Sequence, residues 1–121
     1  MSIQELKTIN LERNFASTVI DDLLSYPAKL NESEIKLINA KKRVDQIKEQ
    51  IDIKRYSLLV SGVIDGKNSE IREAQIEEKI SGDKKNLREA KENLDVEEAN
   101  FHLLENEYQS LLAIARIVGN E

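Results

Sequence analysis

The sequence of 121 residues has no cysteine and no tryptophan, one proline (Pro27), four glycines and only 4% aromatic residues. Without cysteine it can form no disulfide framework, thiolate zinc site or cysteine nucleophile. No apolar run approaches the roughly 20 residues that span a bilayer. Residues 1–5 also lack the basic and apolar regions of a signal peptide. We therefore expect a cytoplasmic protein that does not enter a membrane.

The residues that are abundant predict an all-α protein. Hydrophobic residues make up 40% of the chain and charged residues 34%, which is typical of a folded helical protein rather than a disordered one. Leu, Ile, Ala, Glu and Lys dominate, and strand-forming residues do not fall in alternating runs. The net charge of -5 argues against broad binding to a phosphate backbone.

Two heptad patterns predict a pair of long helices that pack against each other. In residues 83–118 the apolar and small residues alternate in steps of three and four, with one interruption at Glu97, and they are Leu87, Ala90, Leu94, Phe101, Leu104, Tyr108, Leu111, Ala115 and Val118. An earlier repeat comprises Leu30, Leu37, Ala40, Val44, Ile47, Ile51 and Leu58, and it includes Lys54. The sequence therefore predicts an antiparallel hairpin of long, coiled-coil-like helices.

Caps and helix breakers give the expected helix boundaries within a single domain, residues 1–121. Ser2 and Glu5 have capping-box spacing, so an N-terminal helix is expected at 3–25, before Pro27. The alternative is a kink, with Pro27 in the first turn of the next helix. A second cap at Asn31 predicts a long helix at 31–64. Ser81 and Gly82 separate a short connector helix, 69–80, from a final helix, 83–118.

Opposite charge on the two long helices supports their pairing. Residues 28–64 carry eight Lys or Arg and five Asp or Glu, a net +3, whereas residues 83–118 carry five and eight, a net -3. A hairpin symmetric about the connector places Ile51 level with residues 94–97 and Leu37 level with residues 108–111. Lys54 is then expected to pair with Glu97 as a polar layer that sets the register, or each side chain reaches solvent separately.

No pattern of catalytic, metal-binding or nucleotide-binding residues stands out. Glu98, His102 and Glu105 share one helical face, as metal ligands can. Position 102 lies beside the buried seam, however, and a solvated helix surface explains it better. Adjacent carboxylates such as Glu97 and Glu98 point in different directions on a helix and offer no acid–base pair. We expect no enzyme activity, no metal and no cofactor.

Apolar side chains outside the heptad seam predict a protein-binding surface. The candidate residues are Ile35 and Ile38 on the first long helix, and Val96, Leu103, Ile114 and Ile117 on the last. The N-terminal and connector helices are expected to cover part of the surplus apolar surface. The rest predicts a homo-oligomer, with a dimer favoured, and assembly as a helical bundle.

The turn between the long helices carries the one familiar pattern. Gly66 is expected to adopt the left-handed conformation that closes a helix, and Asn68 or Ser69 to cap the next one. The segment from Asp65 to Gln75 resembles a "dGKNaeeReaq" segment in small coiled-coil proteins of tailed phages and prophages of Gram-positive bacteria, with Ile71 departing from the usual acidic residue. The resemblance implies a phage origin and no particular activity.

Together these observations predict a non-enzymatic phage protein that binds and modulates a protein partner, such as a host defence or replication factor. The alternative is a nucleic-acid-binding accessory factor in phage recombination or replication. It rests on the basic residues of the first long helix, which include Lys36, Lys48 and the run of residues 41–43.

Overall fold

The computed structural model describes residues 2–119, without the side chains of residues 9, 10 and 12. The chain forms two helices that pack against each other, α1 (Ile3–Val60) and α2 (Ser69–Gly119). No strand occurs in this range. The prediction of an all-α helical hairpin is therefore confirmed. Neither helix contains a stretch apolar enough to cross a membrane.

The capping box at the start of α1 is present as predicted. The backbone N–H of Glu5 donates to Ser2 Oγ at 3.1 Å, and the N–H of Ser2 donates to Glu5 Oε2 at 3.4 Å. These bonds satisfy two backbone groups that a helix N-terminus would otherwise leave to solvent.

The predicted helix break before Pro27 is wrong, because α1 continues through it without interruption. A separate N-terminal helix at 3–25 and a new cap at Asn31 therefore do not exist. Proline removes the hydrogen bond to the carbonyl of Leu23, and Pro27 itself is exposed. The helix is held in this region by Val19, which is buried, and by Tyr26, which contacts α2.

The predicted break at Ser81 and Gly82 is also wrong, and with it the short connector helix at 69–80. Gly82 lies inside α2 with negative φ, and Ser81 Oγ donates to the carbonyl of Glu78 at 2.9 Å. A single glycine costs only about 1 kcal/mol in a helix. Ile80, two residues before Gly82, is fully buried. Burial of this kind outweighs the local preference for a break.

The apolar heptad positions predicted from the sequence are buried or half-buried along both helices, whereas Lys54 is exposed. On α2 the alternating steps of three and four residues continue without interruption towards the N-terminus of the helix, through Leu87, Asp83, Ile80 and Ile76. The second leg of the hairpin therefore begins immediately after the turn. This explains why the predicted register is wrong: residues assigned to a connector belong to the packed helix.

Two compact units divide the described chain, and both helices contribute to each. Unit 1 comprises residues 1–35 and 99–121, and unit 2 comprises residues 36–98. A single folding domain for the whole chain stays a prediction. The core cluster of unit 2 consists of Val44, Ile47, Ile51, Ile76, Ile80 and Ala90, with Leu58, Ile64, Leu87 and Leu94 packed against it. In unit 1, Val19 and Ser33 are buried.

Candidate interaction surfaces

Two glycines shape the turn in unit 2, and each has a different structural role. Gly62 adopts a left-handed conformation, with φ of 75°, two residues after α1 ends at Val60. The prediction that Gly66 closes this helix, and that the helix runs to residue 64, is therefore wrong. Gly66 is needed for close approach instead, because a Cβ there would lie 2.6 Å from Ile71 Cγ2 and 3.0 Å from the backbone nitrogen of Arg72.

Side chains of the first turns of α2 close the loop. Asn68 is the N-cap, since its Oδ1 accepts from the N–H of Ile71 at 2.9 Å. Gln75 bridges two loop residues: its Oε1 accepts from the N–H of Gly66 at 3.0 Å, and its Nε2 donates to Asp65 Oδ1 at 2.9 Å. Much of the segment from Asp65 to Gln75 therefore serves to close this turn.

Lys54 does not pair with Glu97 as predicted. Its Nζ lies 2.7 Å from Oδ2 of Asp83. Asp83 precedes Glu97 by about four helical turns in α2. Lys54 and Asp83 both continue the heptad seam of their helices, so the polar layer exists with another partner. The side chains remain 44% and 29% exposed. The pair is therefore expected to influence register more than stability.

A second ion-pair network in unit 2 joins the helices next to this layer. Arg55 donates to Glu73 Oε1 at 3.1 Å and to Glu77 Oε1 at 2.9 Å, and Glu77 also binds Lys84. The hydrogen bond from Lys84, followed by that from Arg55, lowers the pKa of the Glu77 carboxyl. The hydrogen bond to Glu73 raises the pKa of Arg55. Sequence patterns did not reveal this network, because it depends on the actual register.

Unit 1 contains a tyrosine cluster that the sequence analysis missed. The rings of Tyr26 and Tyr108 stack with centroids 6.0 Å apart, and the ammonium of Lys29 lies 4.8 Å from the Tyr26 ring centroid. The hydroxyl of Tyr26 donates to Glu107 Oε2 at 2.7 Å, and this bond raises the pKa of the tyrosine. Tyr26 lies on the heptad seam of α1, and this position could have predicted its contact with α2. The predicted helix break at Pro27 removed Tyr26 from the seam. The same contact shows that Leu37 does not lie level with Tyr108.

A groove of about 370 Å³ adjoins this cluster within unit 1. Its lining consists of Asp22, Tyr26, Asn106, Glu107, Ser110, Leu111 and Ile114. It combines two carboxylates with an apolar floor, but the Glu107 carboxylate is already bound to Tyr26.

All six predicted interaction residues are exposed. The exposed fraction is 50% for Ile35 and 43% for Ile38 on α1, and on α2 it ranges from 37% to 64% at Val96, Leu103, Ile114 and Ile117. Separate N-terminal and connector helices do not cover these six residues, because the segments assigned to them belong to α1 and α2 themselves.

A basic groove in unit 2 is formed by Lys84, Leu87, Arg88 and Lys91 on α2. Lys84 already binds Glu77, and on α1 the basic residues Lys54 and Arg55 are held in ion pairs. Arg88 and Lys91 are the groove cations for which the structure shows no such pair in residues 2–119. The basic surface is thus smaller than the sequence suggests.

His102 lies on the surface near one carboxylate. Its Nδ1 is 3.2 Å from Glu105 Oε1, and the two side chains are 70% and 47% exposed. Within residues 2–119, no group of three or more His, Cys, Asp or Glu side chains is placed to hold a metal ion.

No family model, curated protein or solved structure matches this chain. The resemblance to phage coiled-coil proteins therefore stays a prediction.

Proposed function

We propose that this chain is a non-enzymatic, phage-type helical protein that binds and modulates a protein partner in the cytoplasm of a bacterial host. The observation that carries the proposal is the exposed apolar surface on both helices, which includes Ile35, Ile38, Leu103 and Ile117. Large exposed apolar patches on a soluble protein mark sites for proteins, membranes or ligands. A host defence or replication factor is the class of partner that the phage resemblance suggests.

The polar interactions support this reading because they join the two helices of the hairpin. Lys54, Arg55 and Tyr26 each bind a carboxylate on the opposite helix. These groups hold the two helices in one register, so they present the exposed apolar residues on an ordered support. A binding surface that is ordered before association loses less conformational entropy when it binds.

The proposal is tested by capture of partners from a Gram-positive host lysate, with quantitative mass spectrometry. Two charge-introducing variants, Ile35→Glu with Ile38→Glu and Leu103→Glu with Ile117→Glu, are compared with the native chain. The control is Ile53→Glu, at an α1 residue that is 58% exposed. A specific host protein should be lost with at least one double variant and kept with the control. If the native chain captures only itself, the proposal is refuted.

Nucleic-acid binding is the second candidate function, and the groove of Lys84, Arg88 and Lys91 favours it. Binding to phosphates would show strong salt dependence. Fluorescence anisotropy with single-stranded DNA at low salt tests it, and Arg88→Glu with Lys91→Glu should abolish the signal. The control is Lys7→Glu, which changes an exposed cation in unit 1. No anisotropy change for the native chain at low salt would exclude this function.

A further inference from the structure

An exposed face of α2 in unit 1 carries a second heptad pattern. Its members follow in alternating steps of four and three, all are exposed, and they are Ala99, Leu103, Asn106, Ser110, Ala113 and Ile117. We call this set the outer stripe. Leu103 is 57% exposed and Ile117 is 64% exposed. A heptad stripe of this kind is the pattern that packs against another helix.

We propose that the outer stripe pairs with the outer stripe of a second copy of this chain, antiparallel and about a two-fold axis. This goes beyond the proposed function, which concerns a different protein as the partner, and it assigns the outer stripe to a second copy. In an antiparallel pair centred on the stripe, Leu103 faces the partner's Ala113 and Ile117 faces the partner's Ala99. Every large apolar residue thus meets a small one, which is the arrangement that lets side chains interdigitate.

A two-fold interface must be complementary to itself, and the order of residues in the outer stripe meets that condition. Parallel pairing in register would instead stack Leu103 on the partner's Leu103 and Ala99 on the partner's Ala99, so wide and narrow layers would alternate. Sliding the antiparallel pair by one heptad in either direction would place Leu103 or Ile117 against the partner's Asn106. The centred antiparallel register avoids both faults.

The centre of the outer stripe supplies a polar layer that fits this register. Asn106 faces the partner's Ser110, and symmetry makes two such pairs. Ser110 Oγ donates its proton to the backbone carbonyl of Asn106 in its own helix at 2.9 Å. Its oxygen lone pairs remain as acceptors for the side-chain amide of the partner's Asn106. A polar residue at a seam position is known to specify register.

The charge of unit 1 gives the dimer a characteristic salt dependence. Residues 1–35 and 99–121 contain four Lys or Arg and nine Asp or Glu, so unit 1 carries the whole net charge of -5. Two such units repel each other, and added salt screens that repulsion. Apolar pairing should therefore strengthen as salt rises, whereas an association driven by opposite charges would weaken.

Introduced cysteines test the register, because the native chain has none. Purified Leu103→Cys and Ala113→Cys chains are mixed at full length in a glutathione redox buffer. The mixture should form a disulfide-linked dimer. Each variant alone should not, since identical positions would lie ten residues apart, about 15 Å along the helix, whereas a disulfide needs Cα atoms within about 7 Å. A crosslink of Leu103→Cys alone as efficient as that of the mixture, or no crosslink in the mixture, overturns the proposal.

Sedimentation equilibrium of the native chain provides the second measurement. A dimer should be found, and its dissociation constant should rise at least tenfold in Leu103→Glu and stay within twofold in the control Ile53→Glu. Circular dichroism shows whether both variants keep their helical content. A native chain that is monomeric at all concentrations overturns the dimer. This result would leave the lysate experiment unaffected, so failure of the dimer and failure of the proposed function are distinguishable.

Discussion

Replacing three glycines by alanine, one at a time, tests the course of the backbone with the same added methyl group in each case. At Gly82 nothing lies within 4 Å of the new Cβ, and φ is negative. Alanine should therefore stabilise the fold by about 0.5–1 kcal/mol, because it reduces the entropy of the unfolded chain and favours the helix. If a break existed at Ser81 and Gly82, the same change would give no such gain.

The other two glycines should respond in the opposite direction. Gly62 has φ of 75° with open space around it, so Gly62→Ala should cost about 1–2 kcal/mol, the penalty of a left-handed L-residue. Gly66→Ala should cost about 1–3 kcal/mol, the usual range for overpacking, because the backbone nitrogen of Arg72 cannot move as freely as the side chain of Ile71.

Urea unfolding followed by far-ultraviolet circular dichroism measures all three variants at one protein concentration. An unchanged denaturant slope shows that each change acts on stability alone. The order Gly82→Ala, native chain, Gly62→Ala from most to least stable is the decisive outcome. Destabilisation by Gly82→Ala of 1 kcal/mol or more, relative to the native chain, would refute a continuous α2.

Three further results are expected. Ile80→Ala should cost about 2–5 kcal/mol, whereas Ile53→Ala should stay within about 0.5 kcal/mol, in the same urea assay. A double-mutant cycle on Lys54 and Asp83 should give a coupling of up to about 1 kcal/mol that falls with salt, and a cycle on Lys54 and Glu97 should give none. Since the folded pKa of Glu77 lies below its ordinary value, its contribution is present above the unfolded pKa and lost as the pH falls through the folded one, so Lys84→Ala should flatten the acid limb of stability against pH.

The sequence predicted the fold class and the buried seam because both follow from periodicity. Residues such as Leu37, Val44 and Leu104 recur at heptad spacing, and burial of that spacing requires a helix against a helix. The errors came from Pro27 and Gly82, where local preference favours a break and tertiary packing overrides it. Because a break was assigned at Gly82, the preceding turns were removed from the second leg, and the register shifted.

The candidate interaction surfaces were likewise predictable only in part. Exposure of Leu103 and Ile117 was predictable, since they lie opposite the seam on a helix of known period. The partner of Lys54 was not, because a heptad repeat allows several registers that differ by whole turns. The net charges of the two helices are the same in every register, so they do not distinguish one register from another. Only the position of the turn selects one, and that depends on Gly62, which a sequence pattern gives no reason to prefer over Gly66.

The short turn also has a consequence for the order of folding. The bond from Gly66 to Gln75 closes a loop of nine residues, whereas the bond from Tyr26 to Glu107 closes one of 81. Loop-closure entropy alone makes the second contact about 2 kcal/mol more costly to form first. We expect pairing to start at the turn and to proceed towards the chain ends, so that unit 2 forms before unit 1. During synthesis on a ribosome, α1 would then have almost no packing against α2 until the turn has been synthesised.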